Sequence, residues 1–278
     1  DIKIPKNKTV KTDITIDATE ITDIDNLTNS NLKYISLYIE TISKEGEPDP
    51  KKDIIGMISL SFFPNYNSEN SLVLVSKRFT KTNKNIRIFP NEKEMLKELL
   101  KILENYDPDA LIGYNINNFD LPYLLSRLRE NDLSPMLGRC NQKPSISRKV
   151  GSYYRNSLTG RIIVDAYELI KESIRKGNLR LKRLGLGDVS IALLNDNKMD
   201  ISHSEIFGYW HGDDEQVSKL VEYARKDSEL ALRLVLEKDF LDKFFELSKI
   251  SGLLLQDSLD GGEAQRVENL LLREFNRN

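Results

Sequence analysis

The chain has 278 residues, of which 39% are apolar, 8% aromatic and 30% charged, a balance that supports a sizeable core and excludes a disordered chain. Its 41 Lys and Arg against 43 Asp and Glu give a net charge of −2, which excludes a uniformly basic polyanion binder. The single Cys140 and the two histidines, His203 and His211, exclude a disulfide framework and a cysteine-rich zinc site and argue against a histidine-dominated metal site. No apolar run reaches the roughly 20 residues of a membrane span, and the polar start is no signal peptide. A soluble chain from a reducing, intracellular compartment is expected, with no membrane partner. The start at Asp1 and the stop at Asn278, just after an amphipathic segment, read as those of a piece of something longer.

Residues 1–32 are polar with short alternating pieces (Ile14, Ile16, Ile21) and predict an edge strand plus loop. Tyr34–Glu40, Ile54–Phe63 and Leu72–Val75 follow as three strands separated by Pro48, Pro50 and Pro64-Asn65, an antiparallel meander. Asn91 then reads as the N-cap of a helix carrying Met95, Leu96, Leu99, Leu100 and Leu103, with Glu94 completing a capping box. A short strand at Ala110–Ile112 and a helix at Asp120–Leu128, with Pro122 in its first turn, give the order β-β-β-α-β-α. That order predicts an α/β fold with a mixed central sheet flanked by helices. Gly138–Gly160 reads as a basic loop or hairpin, Arg161–Val164 as a strand, and 166–176, 180–194 and 215–248 as helices. A final helix, Glu263–Phe275, starts after Gly261-Gly262.

Three acids stand out. Asp227 falls within the apolar stripe Val217, Leu220, Val221, Ala224, Ala231, Leu234 and Val235, where an unpaired carboxylate is costly. Tyr223 lies four residues earlier on the same face, so both can point into one site; the alternative is a stripe-edge Asp paired with an Arg. Glu40 ends a strand whose alternation places Tyr38 beside it, and on its own reads equally as a solvated strand-end acid. Asp120 closes the run Gly113-Tyr114-Asn115-Ile116-Asn117-Asn118-Phe119-Asp120, between a strand and a helix, where sheet sites gather and where a helix N-cap is the plainer role.

Together these segments resemble the 3′→5′ proofreading exonuclease domain of family B DNA polymerases. Tyr38-Ile39-Glu40-Thr41 is similar to the first exonuclease motif, Asp-Ile-Glu-Thr in the family; Asn115 to Phe119-Asp120 matches the second, and Tyr223 to Asp227 the third, Tyr-x-x-x-Asp. Gly160-Arg161 leading to Asp165 resembles the strand after the family's hairpin, and Lys198-Met199-Asp200-Ile201 its lysine motif. The tail from Leu247-Ser248 to Arg277-Asn278 resembles the segment entering the polymerase palm, especially in archaeal members.

The resemblance implies a ribonuclease-H-like fold with a basic hairpin insertion, divided into an N-terminal remnant (1–32), an exonuclease domain (33–247) and a helical connection toward a palm (248–278). It implies two-metal hydrolysis of the 3′-terminal phosphodiester of single-stranded DNA by Mg²⁺ or Mn²⁺. Glu40 and Asp227 would hold the nucleophile-side ion, Asp120 the second; Tyr223 would orient water or phosphate and Lys198 would stabilise negative charge. Thr41, Asn115 and Phe119 would hold the terminal nucleotides, Phe119 by stacking, and Arg180 and Leu181 would lie along the DNA path. The implied partners are single-stranded DNA with its primer 3′ end and the rest of a polymerase chain, in the cytoplasm of a prokaryote, archaeal by the tail.

Two departures qualify the resemblance. The family's first-motif Asp, which bridges both metals, is Tyr38 here, and a phenol with an ordinary pKa near 10 supplies no charge at pH 7. Little or no exonuclease activity is therefore expected, with Glu47, Asp49 and Asp53 as the nearby acids that could substitute. Arg180 stands where the family usually has Ser or Thr. The alternative function is a non-catalytic single-strand-binding or structural module of the polymerase; a free-standing exoribonuclease and a glycosidase pair of Glu40 and Asp120 are weaker rivals. Residues 139–183 hold 12 Lys and Arg against 3 acids, Asp165, Glu168 and Glu172, so the near-zero total conceals a local basic track.

Overall fold

The period-two alternation from Tyr34 onward builds β1 (Tyr34–Ile42), which pairs antiparallel with β2 (Ile54–Tyr66), and β2 with β3 (Glu69–Val75). The computed structural model describes residues 31–44, 46–80, 85–140, 142–197 and 201–277. The strand expected around Ile14, Ile16 and Ile21 lies outside them, and so does Lys198. The meander is extended by β4 (Ile86–Ile88), parallel to β3 and too short to leave a periodic signature in sequence.

On the other side of β1 lie β5 (Ala110–Gly113) and then β8 (Ile162–Asp165), both parallel. The order β4-β3-β2-β1-β5-β8 is the mixed six-stranded sheet that the element order predicted. The basic segment forms a separate two-stranded hairpin, β6 (Ile146–Val150) and β7 (Tyr153–Ser157).

Each sheet face has its own layer. Ile35, Leu37, Ile39, Ile58, Leu60, Leu72 and Leu74 pack with α1 (Glu92–Tyr106) and α2 (Asp120–Glu130) through Met95, Leu96, Leu99, Leu124 and Leu128. On the opposite face Met57, Val73 and Val75 pack with α5 (His203–His211) and α6 (Asp214–Leu236) through Trp210, Val217, Leu220 and Val221. Further along, α3 (Ala166–Arg175) and α4 (Leu186–Leu194) meet α6 through Ile170, Val189, Leu230 and Leu234.

Several expectations shift. Asn91 accepts from the Glu94 N–H at 3.0 Å, but the Glu94 carboxylate takes Lys97 instead of closing a capping box. The helix read over 180–194 begins only at Leu186; Leu179, Leu181 and Leu184 pack on α6's neighbours from non-helical chain, which mimics helical spacing. The helix read over 215–248 breaks after Leu236, where Asp239 adopts a left-handed φ of 52° and α7 (Asp242–Ser251) turns Phe244 onto Ala110 and Val164. His211, which reads in sequence as a loop residue within Tyr209-Trp210-His211-Gly212, instead closes α5, with Nδ1 2.9 Å from the Phe207 carbonyl.

The C-terminal α8 (Leu255–Asp260) lies against β8, the outer strand of the sheet, and α9 (Glu263–Arg277) packs on α7, where Asn269 donates to the Ser251 carbonyl at 2.6 Å. Gln256 Oε1 accepts from the Ile163 N–H at 2.7 Å, substituting for a missing strand neighbour. Among the described residues no helix is long and apolar enough to cross a membrane.

Candidate active site

The sheet presents polar residues to α6 where a wholly apolar face would be the default. Register places Ser36 opposite Ser61, Tyr38 opposite Ser59 and Glu40 opposite Met57, so Ser36, Tyr38 and Glu40 share the face that α6 covers. Ser59 and Ser61 lie 2.7 and 2.9 Å from Ser228 Oγ, which itself donates to the Arg225 carbonyl at 3.0 Å. With its one proton spent on Arg225, Ser228 accepts from both strand serines. These hydroxyls fix the height and rotation of α6, and they hold the adjacent Asp227 over β1. The signal was present in Ile58-Ser59-Leu60-Ser61-Phe62, where small polar residues alternate within an apolar run.

Register shifts between Glu40 and Thr41, because Gly56 is an extra residue in β2 between Met57 and Ile55. A Cβ on Gly56 would fall 2.7 Å from the Ile42 side chain and 3.2 Å from Trp210, so any larger residue at this bulge would have to displace Ile42. The bulge bends the strand ends where Glu40, only 2% exposed, and the half-buried Thr41 sit.

Asp120 comes from the α2 side. The plainer expectation, an N-cap, fails: α2 has no side-chain cap, and Asp120 is its first residue. Its Oδ1 accepts instead from the Ile39 N–H at 3.1 Å. That is possible because β1 pairs with β5 only from Tyr34 to Ser36, leaving the later part of that edge open. Burial pushes the Asp120 carboxyl up to about 7, against the lowering pull of the Ile39 N–H, and the charges of Asp165 and Asp227 push the same way as burial.

Asp165, at the end of β8, caps α3 by accepting from the Tyr167 N–H at 3.1 Å. It also accepts from the N–H groups of Asn115 at 2.8 Å and Asn117 at 3.1 Å. These bonds hold the loop before α2, in which Asn115 takes a left-handed φ of 63°. Burial raises Asp165 to about 6 despite its three donors. On the loop's other flank, Asn118 Oδ1 accepts from the Tyr154 N–H at 3.1 Å, and Asn156 donates to the Asn117 carbonyl at 2.8 Å. Phe119 is half-buried, its ring 5.6 Å from Tyr123.

On α6, Tyr223 and Asp227 are both buried, at 3% and 1% exposure. The half-buried Tyr38 lies among Glu40, Asp227 and Tyr223, and its hydroxyl is hydrogen-bonded to Glu40. Burial first, then the charges of Glu40 and Asp227 and the Tyr223 ring, push the phenol well above its usual value, so it stays protonated and donates. Glu40, Asp120, Tyr223 and Asp227 therefore converge on the β1–α6 seam, while Arg180 is exposed and Leu181 half-buried on the chain leading to α4.

The donor set does not fit a pair of divalent cations. Such ions require several charged oxygens, and the group that stands beside Glu40 and feels the charge of Asp227 is a neutral phenol, which adds none. Among the described residues, no three His, Cys, Asp or Glu side chains assemble in an arrangement that could hold a metal ion. The nearby acids do not fill the gap: Asp53 accepts from the Asp49 N–H at 2.8 Å, Asp49 accepts from the Lys51 N–H at 3.0 Å, and Glu47 is exposed.

The basic segment also divides. Arg139 bonds Asp107 and Asp109, Arg161 bonds Asp107, Lys171 pairs with Glu168, and Lys176 bridges Glu172 and Glu263. Lys143, Arg148, Lys149, Arg155, Arg175, Arg180, Lys182 and Arg183 are exposed and make no ion pair among the described residues.

Comparison with known proteins places this geometry. A family model described as the exonuclease domain of DNA polymerase family B matches residues 2–184. The chain is 30% identical over 199 residues to the DNA polymerase delta catalytic subunit of Caenorhabditis elegans, covering 68% of this chain and 18% of that protein. It is 30% identical over 246 residues to a DNA polymerase of Thermococcus aggregans, covering 88% of this chain and 13% of that one. A solved structure of the family B DNA polymerase from the hyperthermophilic archaeon Pyrobaculum calidifontis superposes with a TM-score of 0.76 at 21% identity, over 99% of this chain and 33% of its own. The chain thus spans a minor part of each relative's length, and the structural likeness is one of fold.

Proposed function

We propose, for a chain that belongs to the exonuclease-domain family of family B DNA polymerases, that it receives the 3′ end of a single DNA strand within a polymerase and that its hydrolytic activity is weak or absent because of Tyr38. The observation that carries this reading is the Tyr38 hydroxyl hydrogen-bonded to Glu40 within reach of the Asp227 charge. In active relatives of this family, divalent ions would polarise the phosphodiester and activate water. Here Tyr38 contributes a neutral donor at the place where shared negative charge is needed.

The remaining residues support strand binding. Asn115, Phe119 and Thr41 would hold the terminal nucleotides, the half-buried Phe119 ring by stacking on a terminal base. Tyr223, near Tyr38, would orient a water or phosphate. The exposed cations from Lys143 to Arg183 supply the long-range attraction for a polyanion that the total charge conceals.

A second reading, a non-catalytic module kept for packing against the rest of the polymerase, is favoured by the outer face of α9. Val267, Leu271, Leu272 and Phe275 are 51–76% exposed there, an apolar stripe suited to the palm.

Isothermal titration with Mn²⁺ tests the main reading. The expected result is no productive site in the unaltered chain and measurable binding in Tyr38→Asp; two productive sites in the unaltered chain overturn it.

A further inference from the structure

Strand β8 lies at the edge of the sheet and pairs, among the described residues, with β5 alone, so its backbone groups on the far side meet no strand. Those of Ile163 meet a side chain of α8 instead. Gln256 Oε1 accepts from the Ile163 N–H at 2.7 Å, and Gln256 Nε2 donates to the Ile163 carbonyl at 3.4 Å. One amide thus offers the acceptor and the donor that a neighbouring strand would offer. Asp260 sets its orientation, because that carboxylate accepts from Nε2 at 3.0 Å. Turned over, the amide would face oxygen to oxygen with Asp260 and N–H to N–H with Ile163.

Two residues further, roughly 7 Å along the strand, Asp165 ends β8. Its carboxylate is spent on backbone beyond the strand: the N–H groups of Asn115 at 2.8 Å, Asn117 at 3.1 Å and Tyr167 at 3.1 Å. Asn115 holds a left-handed φ of 63°, a conformation uncommon outside glycine, so the loop relies on these bonds to keep its shape. With only four residues, Ile162–Asp165, β8 has few ties of its own, and Gln256 supplies those of its outer edge. The amide is in turn firmly based. Leu255 and Leu259 pack on the cluster of Ala110 and Val164, and Arg266 of α9 donates to the Ser258 and Gly261 carbonyls at 2.6 and 2.9 Å.

We propose that Gln256 is a positioning residue for the site that takes the terminal nucleotides: by completing the edge of β8 it fixes Asp165, and through Asp165 the loop that carries Asn115 and Phe119. This rests on the reading that the domain receives a single strand, and it makes the grip on the terminal base depend on the docking of α8. A residue that merely protected a sheet edge would add to stability alone; one that acts through Asp165 also changes how the last base is seated.

The test uses the whole chain in EDTA and an oligothymidylate ending at its 3′ terminus in a fluorescent adenine analogue. Anisotropy reads binding of the strand; quenching of the analogue reads stacking of the terminal base. Gln256→Leu, Asp165→Asn and the double variant are compared with the parent and with Asn269→Ala, which removes the 2.6 Å bond from α9 to the Ser251 carbonyl, a tie to α7 and not to the sheet. Gln256→Leu keeps the bulk and loses the amide. Its affinity should stay within about twofold of the parent's, because phosphate contacts dominate it, while more than about half of the quench is lost. Asp165→Asn should lose as much or more, and the double variant should match Asp165→Asn, the non-additivity expected of one residue acting through another. Gln256→Glu combined with Asp260→Asn reverses the donor and acceptor of their bond and keeps an acceptor for the Ile163 N–H, so it should recover most of the quench. Asn269→Ala should behave as the parent. A lower thermal midpoint in Gln256→Leu with an unaltered quench overturns the positioning role and leaves Gln256 as an edge cap. Additive losses in the double variant overturn the route through Asp165. Either result leaves the strand-receiving role standing. No binding by the parent, or binding without a quench, overturns the seating of the terminal base and this proposal with it.

Discussion

The backbone N–H of Ile39 donates to Oδ1 of Asp120 at 3.1 Å, joining the middle of β1 to the first residue of α2. The bond places an acid in a buried position that no sequence periodicity demands. Replacing Asp120 with Ala should leave the Ile39 N–H buried without its acceptor, at a cost of about 1–3 kcal/mol in urea unfolding. Asp120→Asn, which keeps a carbonyl oxygen, should cost distinctly less. Equal losses in the two variants would show that the bond does not position the acid.

A pH dependence follows from the same group. Asp120 is raised from 3.8 to about 7, first by burial, and Asp165 from 3.8 to about 6, also by burial. The folded chain therefore binds more protons than the unfolded one between these limits. The stability these groups contribute is complete below about pH 4 and is lost as pH rises through 6 to 7. In EDTA, unfolding free energy should fall from pH 5 to pH 8, by up to about 1.4 kcal/mol per pH unit for each titrating group. Asp120→Asn should flatten the upper part of that fall; an unchanged profile would contradict the raised value.

Ser228 is the acceptor for two strand hydroxyls. Ser228→Ala alone should destabilise by roughly 1–3 kcal/mol, because Ser59 and Ser61 lose their partner inside the core. The triple replacement of Ser59, Ser61 and Ser228 by Ala should recover part of that loss. A triple variant weaker than Ser228→Ala would mean that the hydroxyls act independently.

Arg127 and Glu92 form a buried ion pair between α2 and α1, and Glu92 also accepts from the Ile55 N–H at 2.8 Å. Arg127 further holds the Pro50 carbonyl at 3.0 Å, which pins the turn leading from β1 to β2. Arg127→Ala should cost about 3–5 kcal/mol by leaving Glu92 buried and uncompensated. Glu92→Gln combined with Arg127→Met should cost less than Arg127→Ala alone, as read by denaturant midpoint.

Much of this was legible in the sequence, for identifiable reasons. Alternation in Tyr34–Glu40 and the long apolar stripe around Asp227 are driven by burial, which leaves a period in the residues themselves. Tyr223 and Asp227 read as one site because a four-residue step on a helix is nearly a full turn. The break at Asp239 was not legible, since it accompanies the burial of Phe244 in a cluster with residues far away in sequence, Ala110 and Val164 among them. Nor was the Gly56 bulge, which is set by the approach of Ile42 and Trp210. Asp120 read as a cap because a strand edge left open beyond Ser36 is a property of the sheet, not of the loop. The basic segment read as one track, yet Arg139, Arg161, Lys171 and Lys176 are committed to carboxylates, one of them as distant as Glu263.

Tyr38 is the residue on which the proposed function turns, and one assay addresses it directly: shortening of 3′-tailed, 5′-labelled single-stranded DNA in Mg²⁺ or Mn²⁺, by the unaltered chain and by Tyr38→Asp. The expected result is little or no shortening by the unaltered chain and a gain of roughly 100-fold or more in Tyr38→Asp, where a carboxylate is restored beside Glu40. Robust degradation by the unaltered chain would contradict the loss of activity at Tyr38, and no gain in Tyr38→Asp would contradict the assignment of the site itself.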